Sequence, residues 1–339
     1  MIRIQNIVLP IDGGQELLRA RAAGLLGLPP GQIQALSLAR QSIDARKKND
    51  VHYVCTVHVT APEEAALVRK AGNPNVTLFQ PQPYAFPPVR RASALPPVVV
   101  GMGPAGLFAA LVLARAGLKP ILLERGRSVE QRKEDVERFW RTGALDLRSN
   151  VQFGEGGAGA FSDGKLNTGT RDVRHRFILE TLVECGAPED ILIDAKPHVG
   201  TDYLHIALMG LRQELFSLGA DIRFEHRLTG IRTASGAVDS ITVESPGGTE
   251  TIPCRQLVLC PGHSARDTFF MLRDLGVPME AKPFAVGVRI EHRQSDCDAA
   301  QYKRYAGHPS LPAASYKLSC HLENGRGVYT FCMCPGGTV

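Results

Sequence analysis

The sequence predicts an α/β protein in two parts, a small α+β domain followed, across a proline-rich connection, by a larger domain on a parallel sheet. Three observations carry this. Residues 98–126, VVVGMGPAGLFAALVLARAGLKPILLERG, read as strand, glycine turn, helix and strand. Residues 1–72 change period from strand to helix and back. Between the two, prolines gather at Pro74, Pro81, Pro83, Pro87, Pro88, Pro96 and Pro97.

In the first part, Ile2 to Leu9 predicts a strand and Gln15 to Leu25 a helix. A hairpin follows, whose second arm alternates cleanly through Val51, Tyr53, Cys55, Val57 and Val59, and then a helix from Pro62 to Lys70. This is the pattern of a small α+β, ferredoxin-like domain over 1–72. Proline donates no ladder hydrogen bond and does not sustain a helix, so 73–94 is expected to be an extended linker, with the larger domain running over 95–339.

The run from Ala92 to Ala114 carries no charge and is long enough to raise the question of a membrane span. Its punctuation argues against one. Pro96, Pro97, Gly101, Gly103, Pro104 and Gly106 break an element rather than extend it. Val98 to Val100 suits a buried parallel strand, and Pro104 the first turn of a helix running to about Ala116, where Gly117 caps it. Pro120 to Leu123 predicts a second buried strand ending at Glu124.

A G-x-G-x-x-G turn after a strand, opening a helix and followed about 20 residues later by an acid, has the context of a Rossmann-like dinucleotide fingerprint. Gly101 permits the sharp turn, Gly103 lets backbone approach a pyrophosphate, and Gly106 lets helix pack on strand. The helix N-terminus at Pro104 and Ala105 offers N–H groups and positive dipole to phosphates. Glu124 is placed to accept from a ribose hydroxyl. An ordinary glycine-rich turn is the bland alternative.

Beyond Glu124, Ser128 and Gln131 form a capping box for a highly charged helix that Gly143 stops after Thr142. Residues 153–166, FGEGGAGAFSDGKL, cannot build a core. Small residues there allow close approach to a flat or phosphorylated ligand, while Ser162, Asp163 and Lys165 offer hydroxyl, acceptor and cation. Helices over Val173 to Cys185 and Tyr203 to Leu218 follow. Then come a strand from Asp221 to Glu225, a hairpin turning at Pro246-Gly247-Gly248, and a buried strand from Gln256 to Cys260 that stops at Pro261-Gly262-His263.

Composition is that of an ordinary globular chain: 339 residues, 44% apolar, 22% charged, net charge +5. Acidic and basic residues are interspersed apart from Arg46-Lys47-Lys48, which excludes a nucleic-acid or anionic-membrane footprint. The first residues lack the apolar core of a signal peptide, so a cytoplasmic location is expected. Eight cysteines form no C-x-x-C framework, and neither disulfides nor a metal site is expected. Cys332 and Cys334, two apart on a predicted strand, are read as a buried pair.

The order of these motifs resembles the FAD domain of glutathione-reductase-type flavoproteins. GEGGAGAFSDGKL, GHSARDTF, KPFAVGVRIEH and FCMCPGG together resemble a family of bacterial FAD-dependent dehydrogenases with a small N-terminal domain. The resemblance implies a Rossmann-like three-layer FAD-binding domain and a flavin oxidoreductase, with NAD(P)H as a candidate electron donor. Gly101, Gly103, Gly106 and Glu124 would hold the ADP half of FAD, with Arg125 beside the adenosine. Gly156, Gly157, Ala158, Ser162, Asp163, Gly164 and Lys165 would line pyrophosphate, ribityl and flavin. Leu228 would meet the adenine by its backbone, and Gly262 would form the turn after the fourth strand. It also implies that the last FAD-contacting strand and helix lie beyond residue 339, so that the domain over 95–339, with its inserted substrate region, is expected to be truncated and to hold flavin weakly.

No catalytic residue is assigned, since a flavin carries its own chemistry. His263, Lys165 and Asp163 are the ionisable groups placed to face a ring, with His198 behind them. Two other functions fit the same motifs: a non-catalytic flavin-binding module that recruits a partner, and an NAD-linked dehydrogenase without flavin. The substrate or redox partner is left unnamed.

Overall fold

The computed structural model describes residues 1–89, 94–161, 164–166, 172–331 and 333–335. The chain divides into two compact units. The first comprises Met1–Gln82, Leu192–Pro197 and Phe284–Val339, the second Pro83–Ile191 and His198–Pro283.

The first unit opens with β1 (Ile2–Pro10), α1 (Gln15–Leu26), β2 (Ala35–Asp44), β3 (His52–Thr60), α2 (Glu64–Ala71) and β4 (Val76–Leu78). The strands form one antiparallel sheet in the order β2-β3-β1-β4. Ile2 and Ile4 point into the core, and so do Ile7 and Leu9, three and five positions after Ile4. A bulge between Ile4 and Ile7 makes the one-residue correction that keeps all four on one face. Leu18, Ala22, Ala23 and Leu26 of α1 complete that core with Val57 and Val59. Strand β4 falls within the stretch expected to be linker. No proline occurs from Asn75 to Gln80, so the N–H groups are available and β4 pairs with β1.

The second unit contains β5 (Val98–Val100), α3 (Pro104–Arg115), β6 (Ile121–Leu123), α4 (Val129–Thr142), α5 (Val173–Glu184) and α6 (Thr201–Ser217). It continues with β7 (Asp221–Arg223), β8 (Arg227–Ala234), β9 (Ala237–Ser245), β10 (Gly248–Pro253), β11 (Leu257–Leu259) and α7 (Arg266–Asp274). Strands β11, β5, β6 and β7 form a parallel sheet in that order, and β10, β9 and β8 a three-stranded antiparallel one. Strands β5 and β6 are buried on both faces, which is why they read as unbroken apolar runs. Val99 and Leu122 pack with Leu107, Ala110 and Leu111 of α3 and Leu208, Leu211 and Leu215 of α6. Their neighbours Val98, Val100, Ile121 and Leu123 pack with Leu228, Ile241, Val243 and Ile252. Residues 98–115 are therefore a strand, a turn and a 12-residue helix, and among the described residues no helix is long and apolar enough to cross a membrane.

The sequence predicts a capping box at Ser128, but its side chain caps nothing; the Val129 N–H is instead taken by the Glu155 carboxylate at 2.8 Å. This carboxylate, from a distant loop, brings negative charge to the positive end of the helix.

The last part of the chain, with α8 (Gln294–Tyr302), β12 (Ser319–His321) and β13 (Gly327–Tyr329), clusters with the first unit rather than with 95–283. Its Cys297, Tyr302 and Ala314 share an apolar cluster with Ile11 and Val51, which accounts for that grouping. Cys334 lies outside any strand, and Cys332 lies outside the described residues. The seven described cysteines are free thiols.

Candidate functional site

A cleft of about 360 Å³ opens in the second unit where β5, β6 and β11 end. Its walls are the segments that follow those strands: Gly101 to Ala105, Glu124 with Arg125, and Cys260 to Ser264. The carboxyl ends of strands flanking a reversal in strand order are where open α/β sheets bind ligands.

The three glycines of the turn do different work. Gly101 has φ +98°, and a Cβ there would stand 2.1 Å from the Cys260 carbonyl oxygen. At Gly106 a Cβ would come within 1.7 Å of the Gly101 oxygen, so α3 is pressed against the turn. Gly103 is different: among the described residues the only atom within 4 Å of an added Cβ is Gly157 Cα, at 3.8 Å. The space beside Gly103 is open cleft. Gly103 also provides no side-chain cap, and the N–H groups of Ala105 and Gly106 precede the first backbone bond of α3, from Leu107 N–H to the Gly103 carbonyl at 3.0 Å. A turn that presents helix-start N–H groups to open space suits an anion.

Glu124 is buried, at 5% exposure, with its carboxylate already occupied. Oε2 accepts from the Met102 N–H (2.8 Å), and Oε1 from the Gly126 (2.9 Å) and Gly154 (3.0 Å) N–H groups. One side chain thus ties the glycine turn after β5, the loop after β6 and the 153–158 loop together.

That last loop is wound on Arg132. The guanidinium of this residue, 0% exposed, donates to the carbonyls of Asn150 (2.8 Å), Val151 (2.9 Å), Gly154 (3.4 Å) and Glu155 (2.6 Å). A Cβ on Gly154, at φ +120°, would meet Arg132 Cδ at 2.4 Å, so only glycine lets the loop close around it. Burial lowers the Arg132 pKa to about 10, against the pull of Glu124 and Glu155.

Glu155 is likewise 0% exposed. Its Oε2 accepts from Val129 N–H and from Arg212 Nη1, both at 2.8 Å, while Oε1 has no hydrogen-bond partner among the described residues. Burial pushes its carboxyl up to about 7. Arg212 is shared with Glu130, which it holds down to about 2.

At the other wall, Arg125 donates to Asp267 (3.0 Å) and to Thr268 (3.2 Å), with its guanidinium carbon 4.4 Å from the centre of the Phe153 ring. Ser264 donates to Gln152 at 3.0 Å beside His263.

Of the residues singled out from sequence, Gly101, Gly103, Pro104, Ala105, Glu124, Arg125, Gly157, Ala158, Leu228, Gly262 and His263 line this cleft. Gly106 and Gly156 stand behind it. The Gly156 N–H donates to the Met102 carbonyl at 2.8 Å. Gly164 and Lys165 lie away from it, where Lys165 bridges to His198 and Gly164 accepts from the Val199 N–H. Ser162 and Asp163 lie outside the described residues. Sequence reasoning passed over Met102, Gln152, Phe153, His226, Arg227, Thr268 and Phe269 in the walls, and Arg132 and Glu155 beneath them. Among the described residues no group of His, Cys, Asp and Glu could hold a metal ion.

Residues 283–339 match the model of a family described as "FAD-dependent protein, C-terminal domain-like", and residues 1–60 match a domain of unknown function. The chain is 44% identical over 348 residues to an uncharacterized protein of Clostridium beijerinckii; the match covers 100% of this chain and 63% of that protein. The chain therefore spans less than two thirds of the length of that relative. Among solved structures it has partial likeness to an anhydrotetracycline hydroxylase from Streptomyces rimosus, with 20% identity, TM-score 0.30, and 49% of this chain and 31% of that one covered. It also has partial likeness to a 3-ketosteroid-delta4-(5alpha)-dehydrogenase from Rhodococcus jostii, with 19% identity, TM-score 0.31, and 48% and 44% covered. In sequence, residues 283–339 are thus similar to the C-terminal domain of FAD-dependent proteins.

Proposed function

We propose that this chain is the cofactor-binding part of an FAD-dependent oxidoreductase, and that the ADP half of FAD occupies the cleft after β5, β6 and β11. The observation that carries this is the open face of Gly103 beside the start of α3. Gly101 and Gly106 are glycine because protein atoms crowd them, but nothing among the described residues needs Gly103 to lack a side chain. A diphosphate needs it. The residues fit the group: the α3 N–H groups would receive the pyrophosphate, and Arg125 on Phe153 would offer a flat platform for the adenine. FAD, when bound, supplies hydride and electron transfer. The family match at 283–339 supports the choice of FAD over NAD, and a nicotinamide donor gains no support from the comparisons.

On this reading the second unit is a Rossmann-like three-layer domain, supported by the two apolar clusters on opposite faces of its parallel sheet. The N-terminal part is ferredoxin-like, supported by its strand order β2-β3-β1-β4. The substrate is a small molecule or a protein redox partner, not nucleic acid or membrane, and the free thiols suit the cytoplasm.

The test is titration of FAD into the purified protein, followed by its absorbance near roughly 450 nm, for the parent and for Gly103→Val. The parent is expected to bind FAD, and the variant to melt as the parent does but to bind none. A parent without measurable affinity for FAD, or a folded variant that binds as the parent does, overturns the proposal.

A further inference from the structure

Glu155 sits one residue from the cleft wall without entering it. Gly154, Gly157 and Ala158 line the cleft, and the Glu155 main chain is fixed on both sides, its N–H donating to the Arg127 carbonyl (3.0 Å) and its carbonyl accepting from Arg132 (2.6 Å). The side chain turns the other way, into protein, and leaves Oε1 buried without a donor among the described residues. A charged oxygen in that position is poorly compensated.

The charged groups around it come from three directions. From α4 come Glu130 and the buried Arg132; from α6 comes Arg212, whose guanidinium is divided between Glu155 and Glu130; from the loop after β6 comes Glu124. Two guanidinium groups thus serve three carboxylates. Any further negative charge nearby makes the ionised form of Glu155 costlier, and a dry, low-dielectric surrounding transmits that cost well.

We propose that filling the cleft with an anionic dinucleotide draws a proton from solvent onto Glu155, so that a residue out of contact with the ligand makes its affinity depend on pH. This rests on the proposed occupation of the cleft by FAD. The coupling is reciprocal: if bound pyrophosphate favours protonated Glu155, then protonated Glu155 favours bound pyrophosphate. Burial already places its titration near neutral pH, at about 7, where the effect is measurable. Affinity then falls as pH rises, because the ionised form repels the ligand. Glu155→Gln imitates the protonated side chain, since an amide oxygen still accepts from Val129 and Arg212 while the NH₂ takes the place of the unpartnered Oε1.

The experiment is calorimetric titration of FAD into the whole chain from about pH 6 to about pH 8.5, repeated near pH 7.5 in two buffers of different ionisation enthalpy. The expected result is a dissociation constant roughly three- to tenfold larger at the upper pH, with fractional proton uptake that disappears in Glu155→Gln. Binding by the parent that is independent of pH and buffer overturns the inference, and needs no variant. A Glu155→Gln protein that keeps the full pH dependence overturns it too. If FAD does not bind at any pH, the proposed function falls first and this inference with it. ADP-ribose, which shares the diphosphate but lacks the flavin, serves as a second probe and is expected to give the same proton uptake.

Discussion

Replacing Glu124 with glutamine separates two roles for that residue. As a ribose acceptor alone it would matter only when ligand is bound, and the ligand-free protein would be indifferent to the change. The three N–H groups on its carboxylate say otherwise. The better orientation of a glutamine keeps its oxygen on Gly126 and Gly154 and turns its NH₂ toward the Met102 N–H. Donor then faces donor. A buried donor left unsatisfied costs about 1–3 kcal/mol. The two bonds that remain lose their charge assistance, which makes each roughly half as strong. Together these give a loss of about 3 kcal/mol. In a body of 150–250 residues each kcal/mol moves the melting temperature by about 2–4 °C, so a drop of roughly 6–12 °C is expected.

The assay is a thermal melt of parent and Glu124→Gln without ligand, followed by circular dichroism. FAD affinity alone does not decide the matter, since a lost ribose contact and a loosened cleft both weaken it. A ligand-free variant that melts within about 1 °C of the parent would show that the carboxylate does not hold the three loops, and would return Glu124 to the ribose role that the resemblance implies.

Two further outcomes follow from the same geometry. Glu155 has its folded pKa raised to about 7 from an ordinary 4.5, so its contribution to stability is full below about 4.5 and is lost as pH rises through 7; at 1.36 kcal/mol per pH unit the loss is on the order of 3 kcal/mol. Urea unfolding at pH 5 and pH 8 is therefore expected to show Glu155→Gln gaining on the parent at the higher pH, and an equal gap at both would refute it. Gly101→Ala and Gly106→Ala are expected to abolish or severely lower folded yield, because their Cβ atoms would overlap backbone at 2.1 and 1.7 Å, whereas Gly103→Ala stays within about 1 kcal/mol of the parent. Equal stability of all three would show that the turn is not packed as described.

What could be read from the sequence here has a physical pattern. Gly101, Gly103 and Gly106 were legible because a tight turn, an open approach and a close helix crossing each demand glycine at a fixed spacing along one local βα unit. The glycine spacing does not say which glycine faces ligand and which faces protein; that depends on Cys260, which lies far along the chain and closes over Gly101. Glu124 was legible as the acid ending a strand, but its partners were not, since two of the three N–H groups belong to other loops. Arg132 and Glu155 were illegible for the same reason in stronger form. In sequence Arg132 belongs to QRKEDVERF, a run whose composition describes a solvated helix face, yet its side chain is fully buried. It is buried because the 149–157 loop, with Val151 and Phe153 as its apolar residues, satisfies four of its carbonyls on a single guanidinium. The glycines that make FGEGG look featureless are what permit this, since a Cβ at Gly154 would strike the arginine it encloses. A charged residue in a helix and a glycine more than twenty positions later specify each other, and no local period records it. The same dependence explains why the loop can sense charge. Held by hydrogen bonds from its backbone to charged side chains, it lines the cleft with small residues and places beneath them a carboxyl that burial pushes up to about 7.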